Sequence, residues 1–312
     1  MSTKYDLAIL GGGPAGYSAA IYAARAGLDC AVIEQSIPGG QITTTERVDN
    51  YPGIPGVSGI ELGDAFKSHA DSLGTKTILT SIESLDRTED GSFLVKTLDG
   101  DVAAQSIIAA LGATPKTAGF KGEDKFRGRG VSYCATCDGM FFRNKEVFVV
   151  GGGNSACEEA IFLAGIAKKV TVLVRRDQFR APRGVWQQLL THENITIRYQ
   201  TVIEELKGDA LPESIVLKNT ASGAVAEETY TPGSFGIFVF VGTQPQTDLI
   251  DRYVKTAPDG SVITDEHMAT KTPGLYAAGD IRNKPLRQVI TAASDGAIAA
   301  TSVYTYLNNL SL

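Results

Sequence analysis

The sequence predicts an α/β fold of two doubly wound domains, and three observations carry that reading. The chain has 312 residues, room for about two domains at roughly 150 residues each. A short strand, a tight glycine turn, a helix and a second strand follow one another at the N-terminus, the signature of a parallel nucleotide-type unit. The same unit recurs from Val147, an internal duplication rather than a short-period repeat.

In order, Tyr5–Leu10 is the first strand and Gly11-Gly12-Gly13-Pro14-Ala15-Gly16 the turn. An Ala-rich helix runs to Ala26-Gly27, with Pro14 in its first turn, where the missing N–H is not needed. Cys30–Ile33 is the next strand, and Glu34 ends it. In the second copy, Val147–Val150 precedes Gly151-Gly152-Gly153-Asn154-Ser155-Ala156, a helix over Glu158–Gly165 and a strand over Val170–Val174. Short strand patterns fill 200–232. Leu275–Asp280 is a short strand ending in Gly-Asp, and an apolar-periodic, Ala-rich stretch after about Arg287 predicts a buried helix to Leu307.

Composition excludes several classes of function. Hydrophobic residues are 43% and charged residues 21%, ordinary for a globular chain and too apolar for disorder. The net charge of −6 offers nothing to nucleic acid or an anionic membrane. Apolar runs such as Ile237–Val241 are strand-length, against the ~20 residues a membrane span needs. The N-terminus lacks the basic and apolar regions of a leader, so the expected location is the cytoplasm.

Both turns bear on nucleotides. In Gly11-x-Gly13-x-x-Gly16 the first glycine permits the tight turn, the second lets backbone approach a pyrophosphate, and the third allows close helix–strand packing. The helix N-terminus attracts the phosphates. Glu34 lies where a carboxylate accepts hydrogen bonds from ribose hydroxyls; the alternative is a mere turn-former. Gly151-x-Gly153-x-x-Ala156 is followed not by an acid but by Arg175-Arg176, with Arg180 beyond. Guanidinium groups there would hold a 2′-phosphate by bidentate bonds, unless they are only a solvated patch. The acid-ended turn therefore suits FAD and the arginine-ended turn NADPH, with hydride passing from nicotinamide to flavin.

Of four cysteines only Cys134 and Cys137 are closely spaced. Zinc would need further ligands, which three histidines and no second pair do not supply, so no metal is expected. A C-x-x-C loop can close a reducible disulfide and exchange with another through a mixed disulfide. Asp138, directly after it, is either a proton shuttle for the thiols or a helix cap. Cys30 and Cys157 read as buried packing residues. Asp280 could accept from the hydroxyls of a flavin side chain, and the helix opening at Arg287-Gln288-Val289 could stabilise negative charge on reduced flavin. Gly112 falls where backbone should pass close to the flavin.

On these motifs the chain resembles the bacterial-type, low-molecular-weight thioredoxin reductases, class II pyridine nucleotide-disulfide oxidoreductases, over nearly its whole length. The matching stretches are GGGPAGYSAAIYAARAG, PGGQITTTERVDNYPG, YCATCDG, GGGNSACEEA, RRDQFRA, AAGD and RQVITAA. The resemblance implies an FAD domain from residues 1–115 and 246–312, interrupted by an NADPH domain over 116–245. It implies that Cys134 and Cys137 form the redox-active disulfide, with Asp138 as acid–base residue, and that Gln41, Asn50, Asp280, Gln288 and Val289 lie near the flavin. It implies a homodimer, electron flow from NADPH through FAD and the disulfide to thioredoxin, and a domain rotation between half-reactions. Thr114-Pro115 and Gly242–Thr247 are the candidate hinges. Departures are Val174 for the family's His, Ala110-Leu111-Gly112 for Ala-Thr-Gly, Gln246 for Asn, and Ala181-Pro182-Arg183-Gly184. The competing readings are a ferredoxin-dependent thioredoxin reductase and an oxidase of small dithiols on the same fold.

Overall fold

The computed structural model describes residues 3–45 and 47–310. It forms two compact units. One comprises the chain up to Thr114 together with Gln244 onward; the other is the continuous run Pro115–Thr243.

The first unit contains β1 (Thr3–Leu10), α1 (Pro14–Arg25), β2 (Cys30–Glu34), α2 (Gly59–Ser72), β3 (Lys76–Leu79), β4 (Ile82–Arg87), β5 (Phe93–Thr97) and β6 (Val102–Ala109). After β7 (Ala113–Pro115) the chain leaves, and it returns through β16 (Thr243–Pro245), which pairs with β7. β17 (Leu275–Ala277) and α6 (Val289–Leu310) complete the unit. Its sheet runs β3-β2-β1-β6-β5-β4, with β17 also on β6. The pairs among β3, β2, β1, β6 and β17 are parallel, whereas β4 and β5 join antiparallel. Every residue of β2 is buried, as expected for a parallel strand covered on both faces. Leu7 and Ile9 of β1 pack with Tyr17, Ala299 and Val303 from α1 and α6. Ala8 and Leu10 point the other way, to Ile107, Leu275 and Ile281.

The second unit contains β8 (Val131–Ser132), α3 (Ala135–Asp138), β9 (Glu146–Val150), α4 (Asn154–Ala164), β10 (Lys169–Val174), α5 (Arg183–Trp186), β11 (Ile195–Tyr199), β12 (Thr201–Lys207), β13 (Ser214–Asn219), β14 (Val225–Thr229) and β15 (Phe235–Val239). A parallel five-stranded sheet runs β11-β10-β9-β15-β8. The antiparallel β12-β13-β14 sheet forms the strand-rich stretch expected near 200–232.

Two boundaries differ from the sequence expectation. Helix α4 starts at Asn154 rather than Glu158, because Gly153 is already its extended cap residue. The strand before Asp280 stops at Ala277, and Gly279–Ile281 turns as a short 3-10 segment. Among the described residues, no helix is long and apolar enough to cross a membrane.

Candidate functional site

The first glycine turn sits between β1 and α1. Pro14 opens the helix, and Gly13 caps it without a side-chain hydrogen bond, so no side chain at the cap satisfies the early N–H groups. Gly16 is required by packing: a Cβ there would lie 1.9 Å from the Gly11 carbonyl oxygen. Glu34, 7% exposed at the end of β2, reaches back to accept the Gly12 N–H at 2.6 Å. Its other oxygen accepts from the Ser36 N–H and hydroxyl.

The Gly39-Gly40 segment closes on this turn. The Gly39 N–H donates to the Gly12 carbonyl at 2.8 Å, and a Cβ on Gly40 would come within 3.0 Å of Gly13 Cα. Gln41 is exposed in the 3-10 turn that follows. Asn50 Nδ2 donates to Gln288 Oε1 at 3.0 Å, joining residues 238 apart in sequence. Val289, the first residue of α6, packs by Ile42, Val48 and Leu62. The fold thus gathers Gln41, Asn50, Gln288 and Val289 into one neighbourhood. Gly112, in a left-handed conformation, accepts the Gln246 N–H through its carbonyl.

Asp280 follows Gly279 in the turn after β17. One third of its side chain is exposed (33%). Its Oδ1 is nevertheless shut away, without a hydrogen-bond partner among the described residues. Burial pushes its carboxyl above the ordinary carboxylate range, while the Lys284 and Arg287 cations pull it back. Arg287 is turned to backbone, its Nε donating to the Asp280 carbonyl at 3.1 Å.

The second turn repeats the backbone with different side chains. Gly151 takes the place of Gly11, and Ala156, fully buried, the place of Gly16. Asn154 and Ser155 open α4 and are exposed. Arg175 and Arg176 are exposed at the end of β10, and Val174 is buried beside Gly152. Arg180 folds back over the turn: its Nη2 lies 3.1 Å from where a Cβ on Gly153 would be. Glu159, on α4, was not foreseen from sequence. Its Oε2 is buried without a partner among the described residues, and burial raises its pKa.

Cys134 and Cys137 are joined by a disulfide. Cys134 caps α3, and the Cys137 N–H donates to Cys134 Sγ at 3.1 Å. Ser132, also not foreseen, braces the loop. Its hydroxyl donates to Asp138 Oδ2 at 2.6 Å and accepts the Cys134 N–H at 3.1 Å. Tyr133 is anchored through its hydroxyl to Glu123 at 2.7 Å, and Glu123 also accepts the Ala118 and Gly119 N–H groups. Cys30 and Cys157 are buried and free, and burial pushes the Cys157 thiol up to about 11.

The residues of the first unit fit a flavin dinucleotide. A glycine cradle stands at a helix start, and an enclosed carboxylate oxygen lacks the donor that a flavin side-chain hydroxyl would supply. The second unit fits a nicotinamide dinucleotide, with exposed arginines at one end of its turn and the unpartnered Glu159 oxygen on the helix behind it.

A two-turn chain with a C-x-x-C disulfide defines a class. Residues 5–296 match the family model described as pyridine nucleotide-disulphide oxidoreductase, and the chain belongs to that family. Its relatives place it on one branch. It is 43% identical over 313 residues to a thioredoxin reductase of Peptoclostridium litorale, covering 99% of each chain. It is 44% identical to that of Peptoclostridium acidaminophilum, with 98% of each covered. The thioredoxin reductase structure from Streptococcus pyogenes superposes with a TM-score of 0.91 at 40% identity, covering 99% of this chain and 100% of that one. Within the family, this chain belongs to the thioredoxin reductases.

Proposed function

We propose that the protein reduces the disulfide of thioredoxin with electrons from NADPH. The first unit holds FAD, through the turn at Gly11–Gly16, Glu34 and Asp280. The second holds NADPH, through the turn at Gly151–Ala156 and Arg175, Arg176 and Arg180. Bound FAD supplies the two-electron relay between nicotinamide and disulfide. The observation that carries the reading is the Cys134–Cys137 disulfide beside a hydrogen-bonded Asp138, in a unit that also bears an arginine-ended nucleotide turn.

In the reduced protein, the Cys134 thiolate attacks one sulfur of the thioredoxin disulfide and expels the other as a thiolate. Cys137, losing its proton, then attacks Cys134 Sγ in the mixed disulfide. This re-forms Cys134–Cys137 and releases thioredoxin with both thiols reduced. Asp138 gives and takes the proton that the leaving and attacking sulfurs need, and Ser132 holds its carboxyl at the loop. Alternation of the two units about Thr114-Pro115 and Gly242–Thr247, assembly as a homodimer and a cytoplasmic location belong to the same proposal.

The test is disulfide reduction followed with NADPH and with NADH, beside an absorbance spectrum for bound flavin. Anaerobic NADPH should bleach the flavin band; no bleaching rejects the donor. A Cys134→Ser/Cys137→Ser double variant should lose at least about 10³-fold in thioredoxin reduction while keeping its flavin. Parental turnover by that variant sinks the mechanism.

A further inference from the structure

Behind Asp280 lies a buried ionic cluster that the reaction does not account for. Asp295 projects from α6, with its side chain 10% exposed. Its Oδ1 meets Arg282 Nη1 at 2.9 Å. Its Oδ2 accepts both Lys284 Nζ at 2.9 Å and the Gly279 N–H at 3.0 Å. Arg282 is held further by the Thr264 hydroxyl at 2.8 Å. Lys284 is more deeply buried still, its side chain 7% exposed, and its Nζ stands 4.0 Å from Asp280 Oδ1.

A buried ammonium group left without an opposite charge is strongly destabilising. Here two carboxylates lie within reach of one lysine, and only Asp295 is at hydrogen-bonding distance. We infer that Asp295 is a positioning residue for flavin binding: it holds Lys284 off Asp280 and pins the Gly279 N–H, so that Asp280 Oδ1 is not claimed by the lysine and is left for a hydroxyl of the cofactor. The inference rests on the proposed FAD site in the first unit.

The backbone supports the arrangement. Gly279 has φ +80°, and a Cβ there would lie 2.9 Å from Ala15 Cβ, so this turn is wedged against the start of α1. Small displacements of Gly279 therefore carry Asp280 with them. Arg287 cannot replace Asp295 in restraining the lysine, since it too is a cation. Its guanidinium is spent on the Asp280 and Arg282 carbonyls and, at 3.8 Å, on Asp259. Remove the charge of Asp295, and the remaining carboxylate for Lys284 is Asp280. The lysine closes the gap and occupies the oxygen meant for the cofactor.

The experiment uses the full-length chain, stripped of FAD and titrated back, with ADP as a competitor that carries no flavin side chain. Parental chain that takes up no FAD overturns the site itself; the remaining outcomes concern Asp295 alone. Asp295→Asn should weaken FAD binding about tenfold or more, the value of a hydrogen bond to a charged group. ADP binding should stay within about twofold of the parent, since the turn at Gly11–Gly16 is untouched. Adding Lys284→Met to Asp295→Asn should restore most of the FAD affinity. Unchanged FAD binding by Asp295→Asn, equal losses for FAD and ADP, or no recovery in the double variant would each overturn the inference. Should Asp295→Asn fail to fold, Lys284→Met alone decides: binding at least as tight as the parent upholds the competition, and weaker binding refutes it.

Discussion

The two glycine turns share one backbone and differ in the side chains set around it. In each, the first glycine N–H donates to the penultimate residue of the second strand, Gly11 to Ile33 at 2.9 Å and Gly151 to Leu173 at 3.1 Å. That correspondence puts Val174, not Arg175, at the position of Glu34. Glu34 turns inward and locks the Gly12 N–H, whereas Val174 fills the same space with methyl groups 3.1 Å from a would-be Gly152 Cβ. The middle carbonyl is also matched: Gly12 accepts from Gly39, and Gly152 from Arg180 at 2.7 Å. Where the first unit brings a glycine to that point, the second brings an arginine. Where the first has Gly16, the second has Ala156. On the proposed reading, nucleotide choice would change through side chains grafted on a constant backbone, with negative charge drawn in at one turn and positive charge set out at the other.

The sharpest way to break the comparison is to exchange the third residue. Gly16→Ala places a methyl group 1.9 Å from a carbonyl oxygen. It should cost about 3 kcal/mol or more and leave little folded flavoprotein, as expression yield and thermal unfolding would show. Next in size, Arg175→Ala/Arg176→Ala should raise the KM for NADPH about a hundredfold while NADH changes by less than about threefold, because only the 2′-phosphate pairs are lost. Parallel losses with both nucleotides would mean that the arginines only decorate the surface. Glu34→Gln should cost about 1–2 kcal/mol of stability, since a charge-assisted buried bond to Gly12 becomes a neutral one. Val174→Ala at the matching position should leave FAD binding untouched.

A smaller effect has a sign set by pH. Burial lifts the Asp280 pKa above that of an unfolded aspartate. The neutral form therefore suits the fold better, and the stability it confers is present at low pH and lost as pH rises through the raised value. At neutral pH, Asp280→Asn should raise the Tm of FAD-free protein, with the difference vanishing in acid, while FAD binding weakens. The smallest change is Ala156→Gly, about 1 kcal/mol, from added freedom in the unfolded chain.

What sequence could disclose followed from range. The two turns, their helices and the cysteine pair are local, and glycine stereochemistry leaves few alternatives, so they were legible. The sequence places the start of α4 late because Asn154 and Ser155 are poor helix formers, and the cap at Gly153 outweighs them. The resemblance supplied Gln41, Asn50 and Gln288 as neighbours, but no spacing rule predicts that Asn50 would bond Gln288. Ser132 and Glu123 are silent in sequence because a serine and a glutamate in a loop carry no signal until their partners arrive. Glu159 and Asp295 look like ordinary helix-surface residues in sequence. Only packing reveals that each buries its carboxylate.

A Cβ on Gly296 would lie 2.0 Å from the Ala15 carbonyl oxygen, so α6 crosses α1 almost backbone to backbone. Helix α1 is therefore seated by α6, which is translated long after it. Its apolar face, Tyr17 and Ala20 included, waits through the synthesis of everything between. The continuous run Pro115–Thr243 suffers no such delay and can close while the segment beginning at Gln244 is still being translated. The late-closing half is thus the one in need of shelter from chaperones, and truncation of the final helix should leave a nascent protein with one finished half and one that aggregates.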